Sequence, residues 1–549
     1  MLLSKRLQAL GPLFADICRI AGTPGLSLGV LHYGDVVHQA DIGYRDVDAH
    51  LPPNNGTVYH IASLTKAFTA AMVGILVDEG RLDWTTQLQH VVPEFERSDA
   101  AANITIADLL SHRTGLPGYD ALWLLSDNKV RLKRRDAISI LSYVPASAPL
   151  RTEWLYNNFA YEAVGQVIER LSGIDYASFL KDRILEPLGM SKTFYTDFPA
   201  NSSDFAMPYI GLQNATPFQV PQPFYGRDVL LGSAGGIRSS VHDLLVFYKA
   251  LIDAAQFEIE GTGMDSGRLN PLKHLEQMWR PLVGLPAPSL REVSYASGWL
   301  RAQLPTPLAD YGPGTKPMLG AGLPSRLGLF HGGEAFGFTS FVALFPETSS
   351  AVVVLSNALA LTDTTRLVGQ LLIEELFGNK INETEYVEYA ESSSEQTGSV
   401  MANIKKQLLR NKTVDTPAYP IKEYVGTYYN SIGNYFIEIR ETSAGNLKVY
   451  FMGLDSDAFD LEPYQQNSFY WLATHDELAQ RARYTTFPKE YYILKFDHPV
   501  SSEDLSGHVS SNINSLRWKH EFSLQGEGEV FWKRHRDDQN LLWLGQKPL

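Results

Sequence analysis

The chain has 549 residues, too many for one ordinary domain, so two or three are expected. It is 44% hydrophobic, 11% aromatic and 20% charged, a globular composition, and its net charge of −14 argues against nucleic-acid or anionic-membrane partners. A single cysteine, Cys18, excludes an internal disulfide and a cysteine-rich zinc site.

The first stretch, "MLLSKRLQALGPLFADICRIAG", breaks its apolar run at Pro12 and Asp16 and has no small-residue cleavage site, so no export signal is expected. Cys18 within it reads as a buried helix residue. No apolar run reaches the length of a membrane span, and a cytoplasmic protein is expected. Six N-x-S/T sequons, at Asn55, Asn103, Asn201, Asn214, Asn382 and Asn411, are read as chance matches in that setting. "PGLSLGVLHYGDVVHQADIGYRD" alternates Leu26, Leu28 and Val30 and turns at Tyr33-Gly34-Asp35, a β-hairpin pattern. In "HIASLTKAFTAAM" a helix begins: Phe68, Ala71, Met72, Ile75 and Leu76 recur at three- and four-residue spacing, and Gly80 ends it.

Further helical stretches come next, "TIADLLSHRTGLP" and "YEAVGQVIERLSGIDYASFLKDRILEPLGM", each closed by Gly and Pro. Toward residue 340 "LGLFHGGEAFGFTSFVALFPETSSAVVVLSNA" holds three short β runs, and "TTRLVGQLLIEELFG" is a helix closed by Gly378. Strands, then helices, then strands and a helix predict an α+β domain over 1–378 whose sheet joins distant parts of the chain. Residues 379–418, acidic and Ser-rich, read as a solvated linker. From 419 to 549 "YVGTYY", "YFIEIR", "LKVYFM", "YYILKF" and "GEVFWKRH" are strands at regular spacing, which predicts a small barrel or sandwich.

Two motif types are set aside on context. Gly25-Leu26-Ser27-Leu28-Gly29 matches G-x-S-x-G, but a nucleophile elbow needs strand, turn and helix, and Ser27 lies inside a strand that runs into a hairpin. "KHEFSL" lacks the second histidine of H-E-x-x-H, and no ligand-spaced cluster remains, so no metal and no cofactor are expected. Ser63 and Lys66 are different: three apart on one helical face, they put a hydroxyl beside an amine. Tyr156-Asn157-Asn158 precedes a helix, and His331-Gly332-Gly333 lies on a late strand.

Ser-x-x-Lys, then Tyr-x-Asn, then a basic residue before Gly, in that order, resembles the serine β-lactamase and penicillin-binding-protein superfamily. The surroundings "TIADLLSHRTGLPGY", "EPLGMSKTFY", "LGSAGGIRSSVHDLLVFYKAL" and "YASGWL" are most similar to its class C β-lactamase branch, with D-peptidase, esterase and transesterase relatives, over roughly residues 10 to 378. The β-rich tail is similar to the lipocalin-like C-terminal domain that some members carry. The resemblance implies a β-lactamase/transpeptidase-like antiparallel sheet flanked by helices, an all-helical subdomain, and a C-terminal lipocalin-like β-barrel.

It also implies roles. Ser63 is the nucleophile, Lys66 the base that a serine hydroxyl needs near neutral pH, and Tyr156 a proton relay. Asn158 bonds Lys66 and a substrate carbonyl; the backbone N–H groups of Ser63 and Glu334 form the oxyanion hole beside Gly333. At the third motif the family more often has lysine, threonine, glycine. His331, mostly neutral near pH 7, and Gly332, with no hydroxyl, weaken the case for an anionic substrate, and Glu334 adds a negative charge. The expected activity is a serine hydrolase or acyltransferase acting on a small-molecule ester, thioester, lactone or amide. A D-amino-acid peptidase, amidase or β-lactamase-type hydrolase, and a catalytically silent binding module, are the alternatives. The oligomeric state is left open.

Overall fold

A computed structural model describes residues 2–196, 204–260, 270–286, 290–307, 317–483, 487–497 and 513–534; the Asn201 sequon and the last fifteen residues of the expected barrel lie outside these. The chain divides into two compact units: Met1–Gly118 with Lys133–Gly398, and Tyr119–Leu132 with Ser399–Leu549.

The first unit is built on an eight-stranded antiparallel sheet in the order Asp35–Gly43, Gly25–His32, Ser350–Ser356, Phe338–Phe345, Arg326–Ala335, Leu300–Leu304, Val293–Tyr295, Val283–Gly284. Hairpin strands from the start of the chain thus pair directly with strands from residue 350, for example Leu28 opposite Val354. One face is covered by the helices Leu3–Ala9, Gly11–Ala21 and Thr364–Leu376. Leu13, Phe14, Ile17, Val368 and Leu371 pack there on Leu28, Val30, Phe341 and Val352. Cys18 lies in this layer, and burial pushes its thiol up to about 12. The alternation of Leu26, Leu28 and Val30 is the inward face of a strand with a helical layer above it.

On the other side, residues 65 to 76 of the helix Thr65–Asp78 are all buried. An all-round apolar helix can only be central. The helices Ile106–Leu110, Asp136–Tyr143 and Asn158–Ser172 form the helical subdomain around it. Ser27 is 1% exposed in mid-strand; its hydroxyl bonds Asp41 and the Tyr59 hydroxyl, a core serine with no elbow around it.

Glu383–Asn411, in the stretch read as a linker, forms one 29-residue helix. Tyr386, Tyr389 and Ala390 on it join the core of the first unit, and Met401, Ile404 and Leu408 are buried further along. Their three- and four-residue spacing is helical, but Ser and Glu between them dilute it.

The second unit contains a closed barrel of eight antiparallel strands, Gly426–Tyr429 through Glu529–Arg534, each paired with its sequence neighbour and the last with the first. This is the up-and-down order of lipocalin-like barrels. It also takes in Tyr119–Leu132, drawn from the middle of the hydrolase sequence. The reason is a buried ion pair: Asp457 accepts from Arg483 Nη1 at 2.5 Å and from Ser126 Oγ at 2.7 Å, while the same Arg483 nitrogen donates to Leu124 O at 2.8 Å. Arg483 and Asp457 are 1% and 0% exposed in their side chains.

Removing one member leaves the other charge buried alone. Asp457→Ala should therefore lower stability by about 3–5 kcal/mol, and the double variant Asp457→Leu/Arg483→Met should lose less than either single change. Urea unfolding checks both; a single variant as stable as wild type contradicts the account.

Candidate active site

Ser63 sits in a tight turn, Ala62–Leu64, that leads directly into the helix Thr65–Asp78. The turn is strained: Ala62 has φ 46°, a conformation costing a non-glycine residue on the order of 1–3 kcal/mol. Three contacts hold it. His60 Nδ1 accepts from Ala62 N at 3.2 Å, Ser340 Oγ donates to Ile61 O at 2.9 Å, and Ile61 N donates to Ile237 O at 3.1 Å. The result exposes part of Ser63 while Lys66, one helical turn on, is 0% exposed.

Lys66 Nζ lies 3.1 Å from Ser63 Oγ, 2.8 Å from Asn158 Oδ1 and 2.9 Å from Ala234 O. The Tyr156 hydroxyl lies 2.8 Å from Ser63 Oγ, and Nζ sits 4.7 Å above the Tyr156 ring. The start of the next helix and a buried histidine place Tyr156. Asn157 caps the helix Asn158–Ser172 by accepting from Ala160 N, and its amide donates to Pro117 O at 2.8 Å. His112 Nδ1 accepts from Asn157 N at 3.1 Å, and its ring lies 4.3 Å from that of Tyr156. Burial and the nearby Lys66 hold the His112 imidazole well below its ordinary pKa, so it is neutral.

The strand Arg326–Ala335 passes beside this turn. Its pairing with Leu300–Leu304 stops at Phe330, leaving 331–335 paired only to Phe338–Phe345. At Gly333 a Cβ would lie 2.4 Å from Ile61 O and 3.1 Å from Ser63 N; only glycine lets the strand come this close. Glu334 comes next and is exposed.

His331 is 5% exposed. Its Nδ1–H donates to Gly332 O at 2.6 Å and its Nε2 accepts from the Tyr295 hydroxyl at 2.9 Å, which assigns the neutral tautomer. Burial first, then Lys66, lowers its pKa to about 3. No charge stands at this position. The missing Gly332 side chain makes room for another cation: a Cβ there would meet Arg366 Nη2 at 2.7 Å. Arg366 comes from the helix Thr364–Leu376, is 6% exposed, and pairs with Asp363 at 3.2 Å.

The structure thus brings Ser63, Lys66, Tyr156 and Asn158 together, with Gly333 alongside and His331 behind. Sequence reading missed four neighbours: the Ala234 carbonyl, His112, Tyr295 and Arg366. Ala234 and His112 lie in the stretches "LGSAGGI" and "LLSHRTGLP"; Arg366 carries no local signal beyond being one arginine in an apolar helix. Among the described residues no group of His, Cys, Asp and Glu could hold a metal ion.

This fold and this cluster are those of the β-lactamase/transpeptidase-like serine hydrolases. The Beta-lactamase family model matches residues 13–374, and the chain belongs to that family. The unguisins hydrolase of Aspergillus campestris is 26% identical over 430 residues, 74% of this chain and 73% of that one. Protein flp of Staphylococcus aureus is 26% identical over 350 residues, 61% of this chain and 59% of its own. In fold, the octameric penicillin-binding protein homologue from Pyrococcus abyssi superposes with a TM-score of 0.54 at 19% identity, over 97% of this chain and 99% of that one.

Two outcomes test the geometry. Gly333→Ala forces the strand off the serine turn and should cost about 1–3 kcal/mol in stability and about tenfold or more in acylation; an unimpaired variant contradicts the close approach. His331, ordinarily near 6.5, titrates near 3 in the folded state, so between those values only the unfolded chain binds the proton. Acid then removes stability, by at most about 1.4 kcal/mol per pH unit from this group. His331→Gln should flatten the slope of unfolding free energy against pH by up to about one proton below pH 6.5; an unchanged slope contradicts the neutral assignment.

Proposed function

We propose that the protein is a serine hydrolase or acyltransferase that works through an acyl-enzyme on a small-molecule ester, thioester, lactone or amide. The observation that carries this is the pair of proton-transfer groups at one oxygen, an amine and a relaying phenol: Lys66 Nζ at 3.1 Å and the Tyr156 hydroxyl at 2.8 Å from Ser63 Oγ. A serine hydroxyl is a weak nucleophile until such a base takes its proton. Ser63 Oγ attacks the carbonyl carbon as its proton passes to Lys66, directly or through Tyr156. The carbonyl oxygen gains the electron pair and is held by the backbone N–H groups of Ser63 and Glu334, at about 3 kcal/mol per donor. As the carbonyl reforms, the leaving group departs with a proton delivered by Tyr156. Water or an alcohol then gives its proton to the same unit and releases the acyl group. Asn158 orients Lys66 and meets the substrate's amide or ester carbonyl.

The substrate is neutral where it meets the strand. His331 supplies no charge, Arg366 is paired with Asp363, and the Glu334 carboxyl, pushed up to about 7 by the protein packed around it and by Asp363, carries no full charge near neutral pH. The hydrolase relatives support hydrolysis over silent binding, and a retired site has no use for a buried amine beside its serine. A cytoplasmic setting is part of the proposal; among the described residues no helix is long and apolar enough to cross a membrane.

A fluorophosphonate should add one mass to the wild type and none to Ser63→Ala. Lys66→Ala and Tyr156→Phe, each still folded, should acylate on the order of 10²-fold or more slowly. Neutral esters should surpass penicillin and D-alanyl-D-alanine peptides in kcat/KM; the reverse order puts the peptidase and β-lactamase alternative first, and labelling that survives in Ser63→Ala overturns the nucleophile.

A further inference from the structure

A neutral amine carries two hydrogens and one lone pair. For Lys66 to take the proton of Ser63, the lone pair must face Ser63 Oγ, so both hydrogens must be engaged elsewhere. Asn158 Oδ1 and Ala234 O, which can only accept, do this at 2.8 and 2.9 Å. The aim of the base therefore depends on where the Ala234 carbonyl stands. It belongs to a single turn, Gly232–Gly235, 168 residues along the chain from Lys66, too short to hold itself.

What fixes that turn is its neighbour Ser233. Its main-chain N–H and its hydroxyl approach Glu162 Oε2 at 3.4 and 3.2 Å, its hydroxyl also reaches Tyr161 O at 3.0 Å, and its carbonyl accepts from Thr69 Oγ1 at 2.6 Å. Glu162 is 0% exposed on the helix Asn158–Ser172, four residues beyond Asn158. Its other oxygen accepts from Arg134 Nε at 2.6 Å, and Arg134 Nη1 donates in turn to Glu169 at 2.8 Å. One helix thus sets both acceptors of Lys66: Asn158 directly, and Ala234 O through Glu162 and Ser233.

We propose that Glu162 is a positioning residue for the base: it locks the Ser233–Ala234 turn so that the Lys66 lone pair points at Ser63. It touches neither substrate nor nucleophile. The proposal rests on the reading of Lys66 as the base, and it assigns to a buried acid, held by Arg134, a part in the reaction that none of the three motifs contains.

The test is Glu162→Gln in the full chain, with acylation by a small neutral activated ester followed against pH. Gln keeps the shape but sets an N–H₂ or an uncharged oxygen against Ser233, so the turn loosens. The plateau rate should fall about tenfold or more with KM changed less than about twofold. Loss of an acceptor and of a nearby carboxylate also disfavours the ammonium form, so the acid limb of the profile should move to lower pH. The other titratable groups facing Lys66, namely Tyr156, Tyr161, His112 and His331, are untouched by the change. Glu162→Asp should recover part of both effects. Ser233→Ala, which keeps the main-chain link, should show the same shift in smaller measure and serves if Glu162→Gln does not fold. A rate that falls with an unmoved acid limb means a structural role only and overturns the proposal, as does an unchanged rate. Lys66→Ala run alongside separates the two readings: if it collapses while Glu162→Gln behaves as wild type, the positioning fails and the base stands; if Lys66→Ala stays near normal, the base itself fails.

Discussion

A primary amine with no exposed surface sits between three oxygens, and the first unit is organised around keeping it there. Burying an amine is costly unless its hydrogens and its lone pair all find partners. Lys66 meets that condition only because three segments converge: the turn before its own helix, the start of the helix Asn158–Ser172, and the turn Gly232–Gly235. These segments are far apart in the chain. Any shift that separates them leaves a buried nitrogen unsatisfied, so the same hydrogen bonds that stabilise the fold also hold the reactive geometry.

The sheet makes the complementary contribution. Its strand Arg326–Ala335 loses its partner on one edge at Phe330, and the serine turn fills the gap. Gly333 permits the contact, Ser340 ties Ile61 to the next strand, and the strained Ala62 is over-determined by neighbours on both sides. Strain of this kind persists only where surrounding structure imposes it. Two tyrosine rings, Tyr156 and Tyr161, and two neutral histidines lie around the amine. Burial keeps His112 and His331 uncharged, which spares Lys66 a like-charge neighbour at the step where it takes up the Ser63 proton and becomes an ammonium.

In the second unit the same physics appears in another form. Asp457 and Arg483 are buried together among Phe451, Phe459 and Trp471, and they hold Leu124 and Ser126 of a segment that belongs, in sequence, to the hydrolase domain. The barrel unit is completed by residues some 270 positions before its own start, so the linear division of the chain at residue 378 and the division in space differ.

What the sequence determined by itself is local. Ser63 and Lys66 are neighbours because they are three apart where a tight turn runs into a helix; the hairpin at 25–43 comes from alternation and a Gly turn; the barrel comes from short strands with regular turns. Tyr156, Asn158, His331 and Gly333 are named by the family resemblance that the order of three motifs carries. Only the tertiary structure decided that Tyr156, 93 residues away, reaches the same oxygen as Lys66, that His331 is sealed against Tyr295, and that Arg366 occupies the space beside Gly332. It alone turned an acidic, Ser-rich stretch into a long helix, because three- and four-residue apolar spacing too sparse to read as a pattern suffices once a core is present to receive it. Contacts of this kind depend on sheet register and on which helix ends meet, and neither is written in any short stretch of residues.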